Sequence, residues 1–525
     1  MIIKLKRITD DQMVISEISF SEINGEFIDA LASGLYNGVE FREFKPDARD
    51  KALGVLEILK TYSHITHIDL RDNKVPDLYY DEGIAALAGL ASLPNLSHLN
   101  LSGNFYKFNG KLDDRDVTNI SSALAGLTHL TCLDLSRNGF GSSFHKVIGA
   151  LAGLPRLTEL NLALNITSIN ASRDAPAVIS ALTGLTHLTK LDLSGNHLGY
   201  YCKVLPSLTN ITELNLSNNH LSRDAPAVIS ALTGLTHLTK LDLGRNDLGY
   251  YATEVSEVLP SLTNITDLNL SHNGFGSSVG SSVDKVIGAL ASLSQLTKLN
   301  LRNNNFGDYA CAASKAGVLP VLTNVNHLDL CNNHLNPKYV FAALPIFPRV
   351  THLSIVGSGI ADCGDCSAEV CSILASRKIL CVDFEMHPIG TTRGAPIFDF
   401  TGRDNLYKAF VKAVIATKDI DYVANVITLN PIYPEHIDSL LDLCGITLDN
   451  DGDLSQQEGF IKLYPSLVAA CKKSGLTEKL SEIADIVEFI SPVGVASADD
   501  PYANMPELEV LGDVHPAADG VPDAA

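Results

Sequence analysis

The chain carries the same 22 residues twice, SRDAPAVISALTGLTHLTKLDL, at positions 172–193 and 222–243. The first copy runs into LTHLTKLDLSGNHL, which has the pattern L-x-x-L-x-L-x-x-N-x-L, and this pattern recurs along most of the chain at spacings of 23 to 34 residues. Units of that length cannot bury an apolar side alone and must stack on their neighbours. A stacked array tolerates the copying of a two-unit block, because each unit contacts mainly the next one.

Twelve units follow this pattern, but the last two lack its asparagine. Ser358 stands in place of the usual Asn in the eleventh, and His387 does so in the twelfth. This weakening is typical of the end of an array. The first apolar positions are Ile65, Leu96, Leu130, Leu157, Leu188, Ile211, Leu238, Ile265, Leu296, Val325, Val350 and Ile379.

Within a unit, the spacing predicts a short strand followed by a helical return segment. In the duplicated stretch, Asp174 is the predicted helix cap and Pro176 lies in the first turn. Val178, Ile179 and Leu182 then share the inward face of that helix. The Asn eight positions after each start is predicted to form a structural ladder that pairs backbone groups left open by the turn.

Residues 63–392 resemble the leucine-rich repeat family, and the helical returns are similar to those of its ribonuclease-inhibitor type. The resemblance implies an α/β fold: a curved solenoid with a parallel sheet on the concave face and a mostly helical convex side. It also implies that the outward strand residues of the concave sheet form the binding face.

Two outward columns can be read from the sequence. The position four residues after each start is Asp or Asn almost throughout, and the position two after it mixes Glu, Lys, Asp, His and Cys. The alternative is that these residues only keep an exposed strand soluble, and that the tyrosines pack on the next return segment. The predicted partner-binding residues are Asp134, Asp192, Asp242, Asp329, Lys190, Lys240, Glu213, Asp267, Tyr200 and Tyr250.

The composition restricts the class of partner and the compartment. A formal charge of −21 disfavours nucleic acid and anionic membrane as partners and favours a protein with a basic or neutral surface. No apolar run is long enough to span a membrane, and the first twenty residues hold no ordinary signal peptide. Ten cysteines in 525 residues are too sparse for a disulfide scaffold. We therefore expect reduced thiols and a cytoplasmic location in the producing cell.

The stretch TLDNDGDLSQQE at 447–458 resembles an EF-hand loop. Asp449, Asp451 and Glu458 occupy three of its ligand positions and are the predicted calcium site, the one cofactor considered. Thr447 occupies the first position, where an Asp normally binds the metal. This departure favours the alternative of an acidic helix–helix turn in which Ser455 and Glu458 form a capping box.

A second candidate metal site is the cysteine cluster of Cys363, Cys366 and Cys371. Its C-x-x-C spacing is compatible with zinc or thiol exchange. No second C-x-x-C follows, and Cys371 falls on a predicted return helix, which favours buried structural cysteines.

The predicted domains are an N-terminal cap (1–62), the solenoid (63–392), a small helical domain (393–490) and a disordered acidic tail (491–525). The tail resembles those of bacterial effectors delivered into host cells by type IV secretion. The predicted function is non-enzymatic recognition of a host protein, after export without a classical signal peptide. The alternatives are a regulator or inhibitor of a GTPase or another enzyme, and an enzyme in the helical domain.

Overall fold

The computed structural model divides the chain into two compact units, Met1–Val350 and Thr351–Ala525. The residues that the structure describes are 2–9, 13–21, 23–42, 49–72, 81–105, 112–166, 177–178, 180–198, 208–222, 225–276, 282–306, 323–333, 349–354, 367–383, 401–444, 457–476 and 478–479.

The first unit begins with a β-hairpin that continues into the repeat sheet. Strand β1 pairs antiparallel with both β2 and β3, and Leu5 faces Ile18 on one side and Val39 on the other. Strand β3 pairs parallel with the first repeat strand, so the hairpin closes the N-terminal edge of the repeat sheet. The elements are β1 (Ile2–Ile8), β2 (Val14–Phe20), α1 (Gly25–Ala32), β3 (Gly38–Arg42) and α2 (Arg49–Leu59).

Ten three-residue strands follow, and each pairs parallel with the next one in chain order. The middle residue of every strand is buried, and the residues on either side face outward. These strands are β4 (His67–Asp69), β5 (His98–Asn100), β6 (Cys132–Asp134), β7 (Glu159–Asn161), β8 (Lys190–Asp192), β9 (Glu213–Asn215), β10 (Lys240–Asp242), β11 (Asp267–Asn269), β12 (Lys298–Asn300) and β13 (His327–Asp329).

Helices form the described return segments, as the apolar spacing predicts. In the second copy of the duplicated stretch, Val228, Ile229 and Leu232 are fully buried, and in the first copy Val178 and Leu182 are also buried. The predicted cap Asp174 and Pro176 lie outside the described residues. The return helices are α3 (Asp81–Gly89), α4 (Asp114–Ala125), α5 (Phe144–Leu151), α6 (Ala225–Leu232), α7 (Ala252–Val258) and α8 (Ser282–Ala291).

A buried asparagine ladder joins the units at the turns after strands β5–β13, as predicted, and the predicted Asn73 lies outside the described residues. The Oδ1 atom of Asn246 accepts the backbone N–H of Asn219 at 2.9 Å, and its Nδ2 atom donates to the carbonyls of Leu216 and Leu243, both at 3.0 Å. The side chain thus satisfies backbone groups of two adjacent units at once. Equivalent bonds join Asn104, Asn138, Asn165, Asn196, Asn219, Asn246, Asn273, Asn304 and Asn333.

The residue before each ladder position adopts a left-handed backbone, with φ between 50° and 67°. Glycine takes this conformation freely, but most of these positions hold larger residues, at a cost of roughly 1–2 kcal/mol each. We attribute their persistence to the ladder bonds, which fix the turn. These residues are Asp72, Gly103, Arg137, Leu164, Gly195, Asn218, Arg245, His272, Asn303 and Asn332.

The second unit contains two parallel repeat strands and five helices among its described residues. Phe410, Val414, Val423, Leu440 and Leu463 are fully buried between the helices. The elements are β14 (His352–Ser354), α9 (Ser367–Ser376), β15 (Cys381–Asp383), α10 (Thr401–Ile415), α11 (Ile420–Leu429), α12 (Pro434–Leu443) and α13 (Gln457–Lys473).

The helices of this unit cover the last repeat strand. In the first unit, the carbonyl of Thr297 accepts the N–H groups of Asn326 and His327 from the following repeat, at 2.8 and 3.1 Å. The equivalent carbonyl of Leu380 accepts the side-chain amide of Asn430 at 2.7 Å instead. The Tyr422 hydroxyl donates to the neighbouring carbonyl of Ile379 at 2.7 Å. Asn430, directly after α11, therefore supplies a donor in the place where a thirteenth repeat would supply one, and Tyr422 of α11 adds a bond beside it.

The predicted α/β solenoid with a C-terminal helical region is confirmed. Within the described part of the chain, no helix combines the length and the apolar character that crossing a bilayer requires.

Candidate protein-binding face

The outer sheet face is formed by the first and third residues of strands β4–β13. Because adjacent strands pair in register, equivalent residues line up about 4.8 Å apart in two columns. The first column is His67, His98, Cys132, Glu159, Lys190, Glu213, Lys240, Asp267, Lys298 and His327. The third column is Asp69, Asn100, Asp134, Asn161, Asp192, Asn215, Asp242, Asn269, Asn300 and Asp329.

The centre of the first column alternates in charge. Lys190 Nζ lies 2.9 Å from Glu159 Oε1, and Lys240 Nζ lies 2.9 Å from Glu213 Oε1. The hydrogen bond with Glu159 raises the pKa of Lys190, so this lysine stays charged. Asp267 lies between Lys240 and Lys298 in the register. The lysines are 44% and 51% exposed in these pairs, and such exposed pairs contribute at most about 1 kcal/mol. Their charges therefore remain accessible to a partner.

The third column, in contrast, is bonded into the fold. The Oδ1 atom of Asp192 accepts the backbone N–H of Ser194 at 2.8 Å, and its Oδ2 atom accepts the side-chain amide of Asn215 at 3.0 Å. Asp134 and Asp242 repeat both bonds, to Ser136 and Asn161 and to Gly244 and Asn269. Asp–Asn alternation thus gives each of these carboxylates an amide donor from the next strand.

Burial raises the pKa of Asp242, and the nearby charges of Asp192 and Asp267 act in the same direction. The bonds from Gly244 and Asn269 oppose that shift. Asp329 makes the equivalent turn bond, accepting the N–H of Cys331 at 2.9 Å. These aspartates were predicted as partner-binding residues, and the structure also gives them a role in ending the strand. An Asp or Asn two residues before a small turn residue is the sequence signal for that role.

A groove of about 540 Å³ runs across strands β6–β12 of this face. Its lining includes seven of the predicted partner-binding residues. Asp329 lies on β13, beyond the groove lining. Tyr250 lies on a 3-10 turn, Leu248–Tyr251, and its side chain is 83% exposed. Tyr200 lies outside the described residues. The seven are Asp134, Glu213, Asp192, Lys190, Lys240, Asp242 and Asp267.

The N-terminal end of the first column is less polar. The His67 and His98 rings stack with their centroids 4.0 Å apart, and Thr66 and Ser97 hydroxyls contact their Nδ1 atoms. Burial, with a smaller contribution from His98, lowers the pKa of His67 to about 4. Burial also raises the pKa of the adjacent Cys132 to about 11, so its thiol is protonated near neutral pH.

The two predicted metal sites stay predictions. Asp449 and Asp451 lie outside the described residues, and Glu458 belongs to α13. Cys363 and Cys366 also lie outside them, whereas Cys371 on α9 is fully buried and burial raises its pKa to about 12. Among the residues that the structure describes, no three His, Cys, Asp or Glu side chains are grouped so as to hold a metal ion.

Several of the repeats match family models. One Leucine Rich repeat family model matches residues 126–143, 184–200, 234–250 and 261–278, and a second matches 210–232. The crystal structure of the leucine-rich repeat-containing protein LegL7 from Legionella pneumophila is similar over 66% of this chain and 90% of that one, at 22% identity and a TM-score of 0.35. No curated protein sequence matches the chain. The repeats that these models recognise make the chain a leucine-rich repeat protein.

Proposed function

We propose that the outer sheet face binds a protein partner and that the groove across β6–β12 is the centre of the contact. Leucine-rich repeats are protein-interaction scaffolds, so the class of function follows from the family. The groove is the observation that supports this location, because it joins equivalent side chains of seven consecutive strands into one surface. An array of this kind makes an extended contact that no single unit provides.

The charges of the face favour a partner with a basic or neutral surface. In the first column, the three acids Glu159, Glu213 and Asp267 balance three lysines. The third column adds five aspartates and no cation. The two columns together therefore carry five more negative than positive charges, with histidine neutral. Complementary charge at such a surface accelerates association and selects against acidic competitors.

The test is affinity capture from eukaryotic cell lysate, using the full chain and a sixfold variant of the first column. The variant combines Glu159→Lys, Lys190→Glu, Glu213→Lys, Lys240→Glu, Asp267→Lys and Lys298→Glu. It reverses every charge, leaves the net charge unchanged and preserves opposite charges on adjacent strands. Third-column substitutions are unsuitable here, because they would also break turn bonds.

A matched control swaps the charges of one ion pair between return helices, Asp114→Lys with Lys146→Asp, whose charged atoms lie 2.5 Å apart. We expect the sixfold variant to lose a partner that both the unmodified chain and the control retain. Equal recovery of the same partner by all three proteins would place the contact elsewhere on the molecule.

A second part of the proposal is that the protein is delivered into a host cell. It is supported by the composition of residues 491–525, which hold seven acidic residues and no Lys or Arg. The test is a translocation reporter fused to the chain with and without these residues. Reporter signal in host cells that persists without the tail would remove that support.

A further inference from the structure

Three cationic or titratable side chains lie together on the turns beside the outer sheet face. Arg245, His272 and Arg302 belong to three consecutive units. The backbone N–H of Arg245 donates to the carbonyl of Ser271 at 2.8 Å, and that of His272 donates to the carbonyl of Arg302 at 2.8 Å. The turns that bear these side chains are therefore adjacent and fixed relative to one another.

The first repeat also has an arginine at the position equivalent to Arg302, and there it pairs with an acid. Arg71 is the equivalent residue there, and its Nε atom donates to Asp69 Oδ2 at 2.8 Å in a side-on ion pair. In the ninth repeat, Asn300 replaces that aspartate. Asn300 keeps the turn bond, because its Oδ1 atom accepts the backbone N–H of Arg302 at 3.0 Å, but it carries no charge. The substitution interrupts the Asp–Asn alternation and removes the carboxylate that pairs with the arginine in the first repeat.

Within the described part of the chain, no acidic side chain forms a salt bridge with Arg245 or Arg302. Lys190, Lys240 and Arg71 on the same face, by contrast, pair with acids. Arg245 is exposed and Arg302 is half-buried. Among the described residues, two guanidinium groups thus keep donors that no acid engages on the edge of the predicted binding face.

His272 presents a third donor. Its Nδ1 atom lies 2.7 Å from the side-chain amide nitrogen of Asn303, which donates, so the neutral ring carries its proton on Nε2. Burial lowers the pKa of His272, and the charges of Arg245 and Arg302 lower it further, whereas Asp329 raises it. A bound anion would oppose the effect of the two arginines and favour the imidazolium.

We propose that Arg245, His272 and Arg302 form an oxyanion site that binds a carboxylate of an acidic segment in the partner protein. Asp242 and Asp329 occupy the neighbouring third column, and their charges repel a phosphate dianion more strongly than a single carboxylate. The inference rests on the proposed protein-binding function for its occupant, and it adds an acidic feature to a partner that is otherwise basic or neutral.

The experiment measures fluorescence anisotropy of a fluorescein-labelled octa-aspartate peptide, titrated with the full chain at low ionic strength. Arg245→Asn preserves a residue suited to the left-handed backbone, and Arg302→Gln preserves the size of the side chain. We expect each to weaken binding about threefold and the double variant about tenfold, the range for exposed charge pairs. The matched control is Arg137→Asn, at the position equivalent to Arg245 four units earlier, where the neighbouring residue is Leu164 instead of a histidine.

Asn300→Asp provides a second test that removes no cation. The new carboxylate should engage Arg302 as Asp69 engages Arg71, and so should weaken peptide binding. That effect should shrink in the Arg302→Gln background, because the two changes act on the same guanidinium. Equal effects in both backgrounds would show that only the added negative charge matters, and would overturn the site.

The pH dependence tests His272. The pKa of His272 in the free protein lies below its ordinary value of 6.5, so peptide affinity should rise as pH falls from 7 towards 5. This gain should vanish in His272→Asn, which suits the left-handed turn but does not titrate. Absence of saturable binding, an equal loss in Arg137→Asn, or stronger binding of inorganic phosphate in competition would each overturn the proposal. Peptide titration needs no native partner, so its failure is distinguishable from a failure of the capture experiment, which tests the groove.

Discussion

The seventh repeat uses the polar residues of one strand and its turn in two different ways. Lys240, in the first column, makes one exposed ion pair with Glu213. Asp242 accepts two hydrogen bonds from the fold, and the ladder residue Asn246 is completely buried with its amide bonded to two repeats. Residues two to six positions apart thus differ in whether their polar atoms face solvent or hold the array together. Variation in the first column changes the surface, whereas variation in the turn changes the fold.

The largest effect that separates these roles is expected from Asn246→Ala. This change leaves the backbone N–H of Asn219 without its acceptor. The carbonyls of Leu216 and Leu243 each lose one of two amide donors, since Asn219 and Asn273 still donate to them. One unsatisfied buried group costs about 1–3 kcal/mol, so we expect a loss of about 2–3 kcal/mol. Urea unfolding followed by far-UV circular dichroism measures it, with Lys240→Ala as the reference. Unfolding midpoints that coincide would contradict the structural role of the ladder.

A smaller difference is expected within strand β10 itself. Asp242→Ala removes the acceptor of the Gly244 N–H and of the Asn269 amide, and should destabilise the chain by about 1.5 kcal/mol. Lys240→Ala removes one exposed ion pair and should cost less than about 0.5 kcal/mol. Asp242→Asn should fall between them, because it keeps the bond to Gly244. The same unfolding assay ranks the three variants, and a larger loss for Lys240→Ala would reverse the assignment of the two columns.

The sequence predicts the parts of this fold that depend on periodicity. The strands, the buried returns and the asparagine ladder all follow from one residue pattern, and the ladder positions could be assigned from Asn104 to Asn333 before any contact was known. The Asp–Asn column was recognised as a pattern, but only the cross-strand bond between Asp192 and Asn215 reveals why it alternates. That bond depends on strand register and side-chain direction, which the sequence alone does not show.

Interactions between distant segments were the least predictable. Nothing in the sequence assigns Asn430 to the carbonyl of Leu380, fifty residues earlier. The oxyanion site depends on a similar juxtaposition. Its only sequence signal is a local break in the alternation, where Asn300 follows Asn269.

The smallest expected effect tests whether all residues of the first column are equally available to a partner, or whether the N-terminal end of the column is part of the fold. At its N-terminal end, His67 has a pKa lowered to about 4 from an ordinary value of 6.5, mainly by burial. Between pH 6.5 and pH 4, the unfolded chain therefore binds a proton at His67 that the folded chain does not bind. The free energy of unfolding keeps its full value above pH 6.5 and decreases as the pH falls towards 4. We expect His67→Asn to reduce this loss by about 1 kcal/mol, a value discounted for the partial exposure of the ring.

The measurement is urea unfolding at pH 7 and pH 4.5, with His187→Asn, an exposed loop histidine, as the control. The unmodified chain and the control should lose the same stability between these pH values, and His67→Asn should lose less. Such a result would make the N-terminal end of the first column part of the fold and limit its free charges to the stretch from Glu159 to Lys298. If His67→Asn behaves as the control does, the histidine end is equally available to a partner, and the contrast between the columns extends along the whole sheet.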